Sequence, residues 1–477
     1  MKKEILKLES LARQLETNPS QRKEWNSAVN QYADEFINNI FSTKAYQIGK
    51  LEDQAFDELD FKRSHPIEEV INFVKKEIDH YGLNPASGGH LGYIPGGGVF
   101  PAALGDYMAS VGNRYAGISF GGPGAVKLEN KLIKWMASIL GYPNSAHGNL
   151  SSGGSIANLI AITTARDHKK IGPEKVRKSV IYLTKQVHHC VQKAIRICGL
   201  GEAKIEYIPI DEHFKMDVSA LNATIAQNKS EGLIPFLLVG SAGTTDTGAI
   251  DPLDALADVC AAHDVWYHVD AAYGGFFILC DELKAKFKGI ERSDSVAIDP
   301  HKGLFLPYGL GTILVKNTKA LYESHFYKAN YMQDALAFDG DISPADVSPE
   351  LTKHFRGMRL WVPLMLHGIA PFKAALEEKR MLTLYFYQEV QKLGFEVGPV
   401  PELSVMIFKY PQAEDEASFN EALVEYVKKD GRVFLSSTSI DGVYWIRLAV
   451  LSFRTHLDTI DTCLETLAEA LKQNKAI

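Results

Sequence analysis

The stretch SVAIDPHKGLFLPYGLG, residues 295–311, places a single lysine where an apolar run gives way to a glycine-rich turn. Ser295–Ile298 has the uncharged character of a buried strand, and a short polar turn separates it from Lys302. A lysine at a strand end, partly desolvated and close to other cations, can lose its proton and form a Schiff base. Taken by itself, an ordinary surface lysine would fit the same pattern.

Around this stretch, short apolar runs alternate with helical patterns. Between two of the runs, Asp251 and Pro252 begin the helical segment 251–264, and Asp251 is the predicted N-cap. This alternation predicts an α/β fold, a mostly parallel sheet covered by helices, which binds ligands at the carboxyl ends of its strands. The predicted strands are 179–184, 235–243, 265–270, 295–299 and 311–316.

The composition is that of an ordinary soluble globular protein, with 477 residues, 46% of them hydrophobic and 23% charged. The formal net charge of −7 and the absence of a dense Lys/Arg stripe argue against a nucleic-acid binder. Five scattered cysteines form no CxxC pair, which predicts reduced thiols and a cytoplasmic location. The charged N-terminus does not resemble a signal peptide, and no apolar run is long enough to predict a membrane span.

Three regions of different character divide the chain. Residues 1–90 are predicted to be mainly helical, and residues 91–360 carry the strand–helix alternation of a large α/β domain. In residues 361–477, long amphipathic helices precede two apolar strands and a closing helix, which predicts a smaller α+β domain.

Serines and glycines begin a helix in NLSSGGSIANLIA, residues 149–161. Free N–H groups and the helix dipole at such a position bind phosphate, and Gly153 and Gly154 allow close approach. The pattern is neither GxGxxG nor a Walker motif, so it does not imply a nucleotide. A serine-capped helix after a glycine loop would have the same sequence.

Two further polar residues follow predicted strands. Asp270 ends the strand in YHVDAAYGG, where a carboxylate points into a ligand crevice or else caps a nearby turn. His188 lies beyond another strand, followed by His189 and Cys190, so zinc is an alternative. Adjacent residues on an extended segment point to opposite faces and rarely share a metal. A ring stacked on a planar cofactor suits one histidine better.

A phosphate cup, an aspartate, a histidine and a lysine at strand ends are together the four parts that pyridoxal phosphate (PLP) needs. The motifs HVDAAYGG (268–275) and DPHKGLFLPYG (299–309) resemble those of the group II PLP-dependent amino-acid decarboxylases, the family of aromatic-L-amino-acid, glutamate and histidine decarboxylases. The similarity extends through QVHHCV, SAGTTDTGAIDPL and WIRLAVLSFRTHLDTID, roughly residues 60–470.

This resemblance implies an aspartate-aminotransferase-like PLP-dependent transferase fold (fold type I) with a mostly parallel seven-stranded sheet and a small C-terminal α+β domain. It implies decarboxylation of an L-amino acid to an amine and CO₂. It also implies a homodimer with the N-terminal helices packed across it. The residues themselves, as argued above, predict no metal, no membrane and no nucleic-acid partner.

The resemblance also implies roles for individual residues. Lys302 holds PLP as a Schiff base, Asp270 pairs with the protonated pyridine nitrogen, and His188 stacks on the ring. Tyr331 matches the mobile-loop tyrosine of decarboxylating members and is the expected proton donor, and Arg447 is the candidate for the substrate carboxylate. The further cofactor-binding residues are Gly154, Ser155 and His301 at the phosphate, and Thr244 and Ala272 beneath the ring.

Three departures from the family pattern bear on the substrate. Gly303 follows the lysine where an aromatic residue is common, Asp299 stands where several members have asparagine, and Gly96–Gly98 predict an open pocket. We expect an aromatic or bulky apolar substrate. The alternatives are another PLP-dependent carbon–carbon lyase, an oxidative aldehyde synthase, and a catalytically silent PLP-fold dimer.

Overall fold

The computed structural model describes residues 1–51, 53–327, 341–412 and 414–474. The α-helices are Lys2–Ala12 (α1), Pro19–Asn39 (α2), Asp53–Asp57 (α3), Ile67–Phe73 (α4), Phe100–Gly112 (α5), Pro123–Ile139 (α6), Gly154–His168 (α7), Cys190–Ile197 (α8), Val218–Ser230 (α9), Leu253–His263 (α10), Pro300–Gly303 (α11), Thr318–His325 (α12), Gly357–His367 (α13), Ala370–Lys392 (α14), Glu416–Asp430 (α15) and Leu457–Asn474 (α16). The β-strands are Tyr46–Gln47 (β1), Gly82–Leu83 (β2), His147–Ser151 (β3), Ser179–Leu183 (β4), Lys204–Tyr207 (β5), Ile234–Ser241 (β6), Trp266–Asp270 (β7), Ser295–Ile298 (β8), Gly311–Val315 (β9), Glu396–Val397 (β10), Val405–Lys409 (β11), Ser436–Ile440 (β12) and Val443–Ala449 (β13).

Seven strands form the central sheet, in the order β3–β9–β8–β7–β6–β4–β5. Strands β8, β7, β6, β4 and β5 are parallel to one another, and β9 is antiparallel to both of its neighbours. The prediction of a mostly parallel seven-stranded sheet is therefore confirmed. The carboxyl ends of the parallel strands share one edge of this sheet.

Both faces of the inner strands are buried, as in β4, β8 and β9, whereas the edge strand β5 has the charged sequence KIEY and is partly exposed. In β4, Val180 and Tyr182 pack into one hydrophobic cluster while Ile181 and Leu183 pack into another. Successive side chains of a strand point to opposite faces of the sheet. The two clusters therefore lie on the two faces of the sheet, each between the sheet and the helices that cover it. This packing explains why the run SVIYL carries no charge.

Strand β3 was not predicted from its sequence, HGNLS, which lacks β-branched residues. It is buried along its whole length and pairs with β9, with Ser151 opposite Gly311. A Cβ atom on Gly148 would lie 1.9 Å from the carbonyl oxygen of Ile313. Glycine is therefore needed at position 148 for β3 and β9 to approach each other. Pairing with β9 also outweighs the low intrinsic β-strand propensity of HGNLS.

The prediction that Asp251 caps a helix is wrong. Helix α10 begins at Leu253, and the Asp251 carboxylate accepts N–H groups from Met216 at 2.8 Å and Ser241 at 2.7 Å. Burial raises the pKa of Asp251 to about 6. The carboxylate joins the end of β6 to a neighbouring loop.

The C-terminal region contains a second, antiparallel sheet in the order β10–β11–β13–β12. Apolar residues of α14, α15 and α16 pack with this sheet into a third hydrophobic cluster. The α+β character predicted here is confirmed, including the pairing of β11 with β13. The domain limits at residues 90 and 360 stay predictions.

The N-terminal helices lie on the surface. None of the residues of α1 and α2, all of which the structure describes, is buried. Leu8, Leu11 and Leu15 are more than half exposed, as is Ile5. Within the described residues, no helix combines the length and apolar character needed to cross a lipid bilayer.

Candidate active site

A cavity of about 380 Å³ opens at the edge of the sheet where the parallel strands end. Every residue that the sequence predicted to bind cofactor lies in its wall, although the residues come from five different segments. These are Gly154, Ser155, His188, Thr244, Asp270, Ala272, His301 and Lys302. The structure thus brings the eight together, and their individual roles stay predictions.

Lys302 lies on α11, the single helical turn that follows β8. Its Nζ lies 3.2 Å from Oδ2 of Asp299, which is almost completely buried. Burial works to lower the pKa of Lys302, but the carboxylates of Asp299 and Asp270 outweigh burial and the pKa is raised. The sequence predicted a lysine near other cations, whereas the structure surrounds it with anions that hold it as an ammonium.

Asp270 is the last residue of β7, and both of its carboxylate oxygens are held. Oδ1 accepts the backbone N–H of Ala272 at 3.1 Å, and Oδ2 accepts Nδ2 of Asn158 at 3.3 Å. The side chain is 9% exposed. The carboxylate is therefore fixed in direction while it still faces the cavity.

Sequence reasoning missed the residues that fix Asp270. Asn158 lies on α7, and its Oδ1 pairs with Nε2 of His268 at 2.8 Å. His268 in turn contacts the hydroxyl of Ser295 through Nδ1 at 2.9 Å. Burial lowers the pKa of His268 to about 4, so the ring is neutral and donates from only one nitrogen. No local pattern signals these contacts, which join α7, β7 and β8.

The predicted phosphate cup is the N-terminus of α7. Gly154 lines the cavity, and its N–H donates to Oδ2 of Asp299 at 3.1 Å. A Cβ atom on Gly154 would lie 3.0 Å from Oδ2 of Asp299 and 3.2 Å from the Cβ of Ala272, so a side chain here would displace its neighbours. His301 approaches from α11, with Nε2 3.8 Å from the same Asp299 oxygen and Nδ1 bonded to the carbonyl of Leu310.

His188 follows β4 at the other side of the cavity. Burial lowers the pKa of His188, although the nearby Asp270 carboxylate acts to raise it. The lowered pKa favours a neutral ring. The assumption of an extended segment here is wrong, because α8 begins at Cys190 and the rings of His188 and His189 lie 4.1 Å apart. Among the residues that the structure describes, no group of three or more side chains could hold a metal ion.

Arg447, on β13, lies behind the cavity wall. Its Nε donates to the carbonyl of Thr245 at 2.8 Å, and Nη1 donates to Ser436 and to the carbonyl of Gly92. Its Nη2 is buried and has no hydrogen-bond partner in the described part of the chain. A buried cationic donor of this kind suits a carboxylate ligand.

Gly96 and Gly97 are packed tightly, whereas a Cβ atom on Gly98 would meet nothing closer than 3.8 Å, so the segment is open only at Gly98. A Cβ atom on Gly96 would lie 2.0 Å from the carbonyl oxygen of His301, so this glycine permits close contact and opens no space. A second cavity of about 310 Å³ does lie beside the segment, with Leu306 and Pro307 in its wall. Tyr308 lines both cavities.

The predicted proton donor, Tyr331, lies in residues 328–340, outside the described part of the chain. Its role stays a prediction from its position in the sequence.

The described residues fit pyridoxal phosphate. The N-terminus of α7 lines the cavity with Gly153, Gly154 and Ser155, and a helix start of this kind suits a phosphate. Asp270 offers a fixed carboxylate to a pyridinium, and Lys302 offers an amine to an aldehyde. These three features lie around a single cavity. Fold and site together define a PLP-dependent enzyme.

Comparison with known proteins identifies the family. A family model described as the pyridoxal-dependent decarboxylase conserved domain matches residues 62–411. An aromatic-L-amino-acid decarboxylase from Bacillus atrophaeus is 32% identical over 394 residues, which are 81% of this chain and 82% of that protein. A phenylacetaldehyde synthase from Petunia hybrida is 27% identical over 420 residues, 83% of each chain. The chain belongs to the pyridoxal-dependent decarboxylase family.

The fold agrees with this assignment. The crystal structure of Oryza sativa TDC with PLP and tryptamine superimposes with a TM-score of 0.90 at 22% identity and covers 96% of this chain and 98% of that one. The predictions of fold type I, of pyridoxal phosphate as cofactor and of an amino-acid decarboxylase are confirmed.

Proposed function

We propose that this decarboxylase acts on an aromatic L-amino acid and releases the corresponding amine and CO₂. The proposal rests on the convergence of Lys302, Asp270 and His188 on one cavity, next to a second cavity whose wall includes Leu306 and Pro307. The aromatic substrate is supported by the likeness to the Bacillus atrophaeus aromatic-L-amino-acid decarboxylase. A planar side chain would extend past Tyr308 towards Leu306 and Pro307.

Lys302 would hold the cofactor through its amine, and Asp270 would keep a proton on the ring nitrogen, since an adjacent anion favours the charged form. The neutral ring of His188 would pack on one face of the cofactor, with Ala272 and Thr244 on the other. When bound, pyridoxal phosphate withdraws electrons from the substrate α-carbon while a bond to that carbon breaks.

Two residues would decide which bond breaks and what product forms. Arg447 would bind the substrate carboxylate through its unpartnered Nη2 and fix the orientation of that group. Tyr331 would deliver a proton to the α-carbon after CO₂ has left.

Substrate profiling tests the proposal. The purified holoenzyme is incubated with each of the twenty amino acids and with related non-protein ones, and CO₂ and amine are both quantified. We expect phenylalanine, tyrosine or tryptophan, or a close aromatic relative, to give the largest kcat/KM. A preference for an acidic, basic or small side chain would contradict the proposed substrate.

The same assay distinguishes a second candidate, an oxidative aldehyde synthase, which the likeness to the Petunia hybrida phenylacetaldehyde synthase supports. Such an enzyme would consume O₂ and water and release an aldehyde, ammonia and hydrogen peroxide together with CO₂. Amine in a one-to-one ratio with CO₂ identifies the decarboxylase, and aldehyde in that ratio identifies the synthase.

We propose a homodimer that covers the exposed apolar side chains of α5 and α13. Met108 and Val111 on α5 are 46% and 71% exposed, and Met365 and Leu366 on α13 are 64% and 63% exposed. Exposed apolar surface of this density is typical of an interface. Light scattering should give twice the chain mass, and Val111→Asp should give a monomer, whereas Ile197→Asp on α8 should not.

We propose a cytoplasmic location. The five cysteines are all buried free thiols, which suits a reducing compartment. Detection in an extracellular fraction would contradict it.

A further inference from the structure

Asp299 contacts two groups that the cofactor would use, the backbone N–H of Gly154 and the amine of Lys302. Its Oδ2 accepts the Gly154 N–H at 3.1 Å and lies 3.2 Å from Nζ of Lys302. The residue is 1% exposed, and its Oδ1 has no hydrogen-bond partner among the described residues. A buried carboxylate therefore lies between the phosphate cup and the lysine that would hold the cofactor.

The first contact places two anions in competition. A phosphate at the N-terminus of α7 would be bound by its free N–H groups, and Gly154 supplies one of them. That N–H already donates to a carboxylate. Asp299 must release it or remain next to the phosphate, and the repulsion between two buried negative charges costs binding free energy.

The second contact keeps Lys302 charged. For the covalent link, the neutral Nζ attacks the aldehyde carbon, a C=N bond forms, and the two amine hydrogens leave with the carbonyl oxygen as water. An ammonium must first give its third hydrogen to solvent. An ion pair at 3.2 Å opposes this loss, since a nearby carboxylate stabilises the charged amine.

We propose that Asp299 is a positioning residue that restrains cofactor loading, because it competes with the cofactor phosphate for Gly154 and holds Lys302 as an ammonium. The inference rests on the proposed role of Lys302. It gives the aspartate at this position a consequence that an asparagine would not have.

The test compares cofactor binding to the parent, to Asp299→Asn and to Asp217→Asn. The asparagine at 299 keeps the shape and can still accept the Gly154 N–H, but it lacks the charge. Asp217 is exposed and caps a helix, and asparagine can cap a helix equally well. The Asp217→Asn variant therefore controls for the loss of one carboxylate. Cofactor is removed by dialysis, and both pyridoxal phosphate and phosphate-free pyridoxal are titrated by absorbance.

We expect Asp299→Asn to bind pyridoxal phosphate about tenfold or more tightly than the parent, and to form the covalent link faster. With pyridoxal, the affinity gain should be smaller, because no phosphate competes for Gly154, while the faster link formation should persist. Inorganic phosphate should slow loading of Asp299→Asn more than loading of the parent. Asp217→Asn should match the parent throughout.

Equal or weaker binding of pyridoxal phosphate by Asp299→Asn would overturn the inference. So would slower link formation, because it would mean that Asp299 accepts the lysine proton. If Asp299→Asn does not fold, the parent alone decides: inorganic phosphate that competes strongly with pyridoxal phosphate would contradict a cup already held by Asp299. A parent that forms no covalent link at all would instead refute the proposed role of Lys302.

Discussion

Asn158 donates a hydrogen bond of 3.3 Å to the carboxylate of Asp270, although 112 positions separate them in the sequence. The other side of the Asn158 amide pairs with His268, which is bonded to Ser295. Asp270, the residue expected to keep the cofactor ring nitrogen protonated, is therefore positioned by a hydrogen-bonded series of side chains that joins α7, β7 and β8.

Asn158→Ala should remove the hydrogen bond that orients the Asp270 carboxylate, and so lower both cofactor affinity and turnover. Both losses should be smaller than those caused by Asp270→Asn. Asp270→Asn replaces the charge itself and should cost more than tenfold in turnover, or about 1.4 kcal/mol. If Asn158 acts through Asp270, the double variant should be little worse than Asp270→Asn alone. Cofactor titration and kcat of the four proteins measure this coupling.

Asn228→Ala provides the matched control, because Asn228 is a buried asparagine that bonds Tyr182 away from the cavity. It should lower stability without changing cofactor affinity. Additive losses in the Asn158/Asp270 double variant would argue for independent roles.

Arg447→Gln should raise KM for the amino acid by about tenfold or more, since a charge-assisted hydrogen bond to the carboxylate is lost. Inhibition by the amine product provides the internal control, because the amine has no carboxylate and should bind as tightly to the variant as to the parent. Equal losses for substrate and amine would show that Arg447 supports the wall at Thr245 and does not bind the substrate.

Tyr331→Phe should leave cofactor binding and CO₂ release largely intact while it slows protonation of the α-carbon, because the ring without its hydroxyl has no proton to give. The α-carbon should then stay unprotonated long enough to react with O₂. Aldehyde and ammonia should therefore replace the amine. Product analysis under air and under nitrogen measures the change. An unchanged amine yield would assign the proton to another residue.

Acid should destabilise the fold through His90. Burial, reinforced by the positive charge of Arg447, lowers the pKa of His90 to about 4 from 6.5. The unfolded chain takes up this proton first as the pH falls, so the free energy of unfolding should drop between pH 6.5 and 4, by about 3 kcal/mol from this residue.

Denaturant unfolding of the parent and His90→Leu at pH 7 and pH 4.5 measures this contribution. The variant should lose less stability than the parent between the two pH values, and His213→Gln, at an exposed site, should behave as the parent does. Asp251, whose raised pKa acts in the opposite direction, contributes equally to all three proteins. Equal acid sensitivity in parent and His90→Leu would show that His90 binds a proton as readily in the folded protein as in the unfolded chain.

Strands such as β6 and β8 could be predicted because burial on both faces leaves an uncharged, mostly apolar run in the sequence. Asp270 at the end of β7 and Lys302 just beyond β8 could be predicted to share a site because parallel strands end at one edge. Strand β3 could not, since its conformation depends on pairing with β9. Asn158 and the Asp299–Gly154 contact could not either, because each joins segments that are distant in the chain.

We propose that Lys302 is the residue that holds the cofactor. The direct measurement is borohydride reduction of the protein loaded with pyridoxal phosphate, followed by mass spectrometry of its peptides. We expect one cofactor mass per chain on the peptide that contains Lys302, and no covalent adduct and no turnover in Lys302→Ala. An adduct on another lysine, or near-parental turnover in Lys302→Ala, would contradict it.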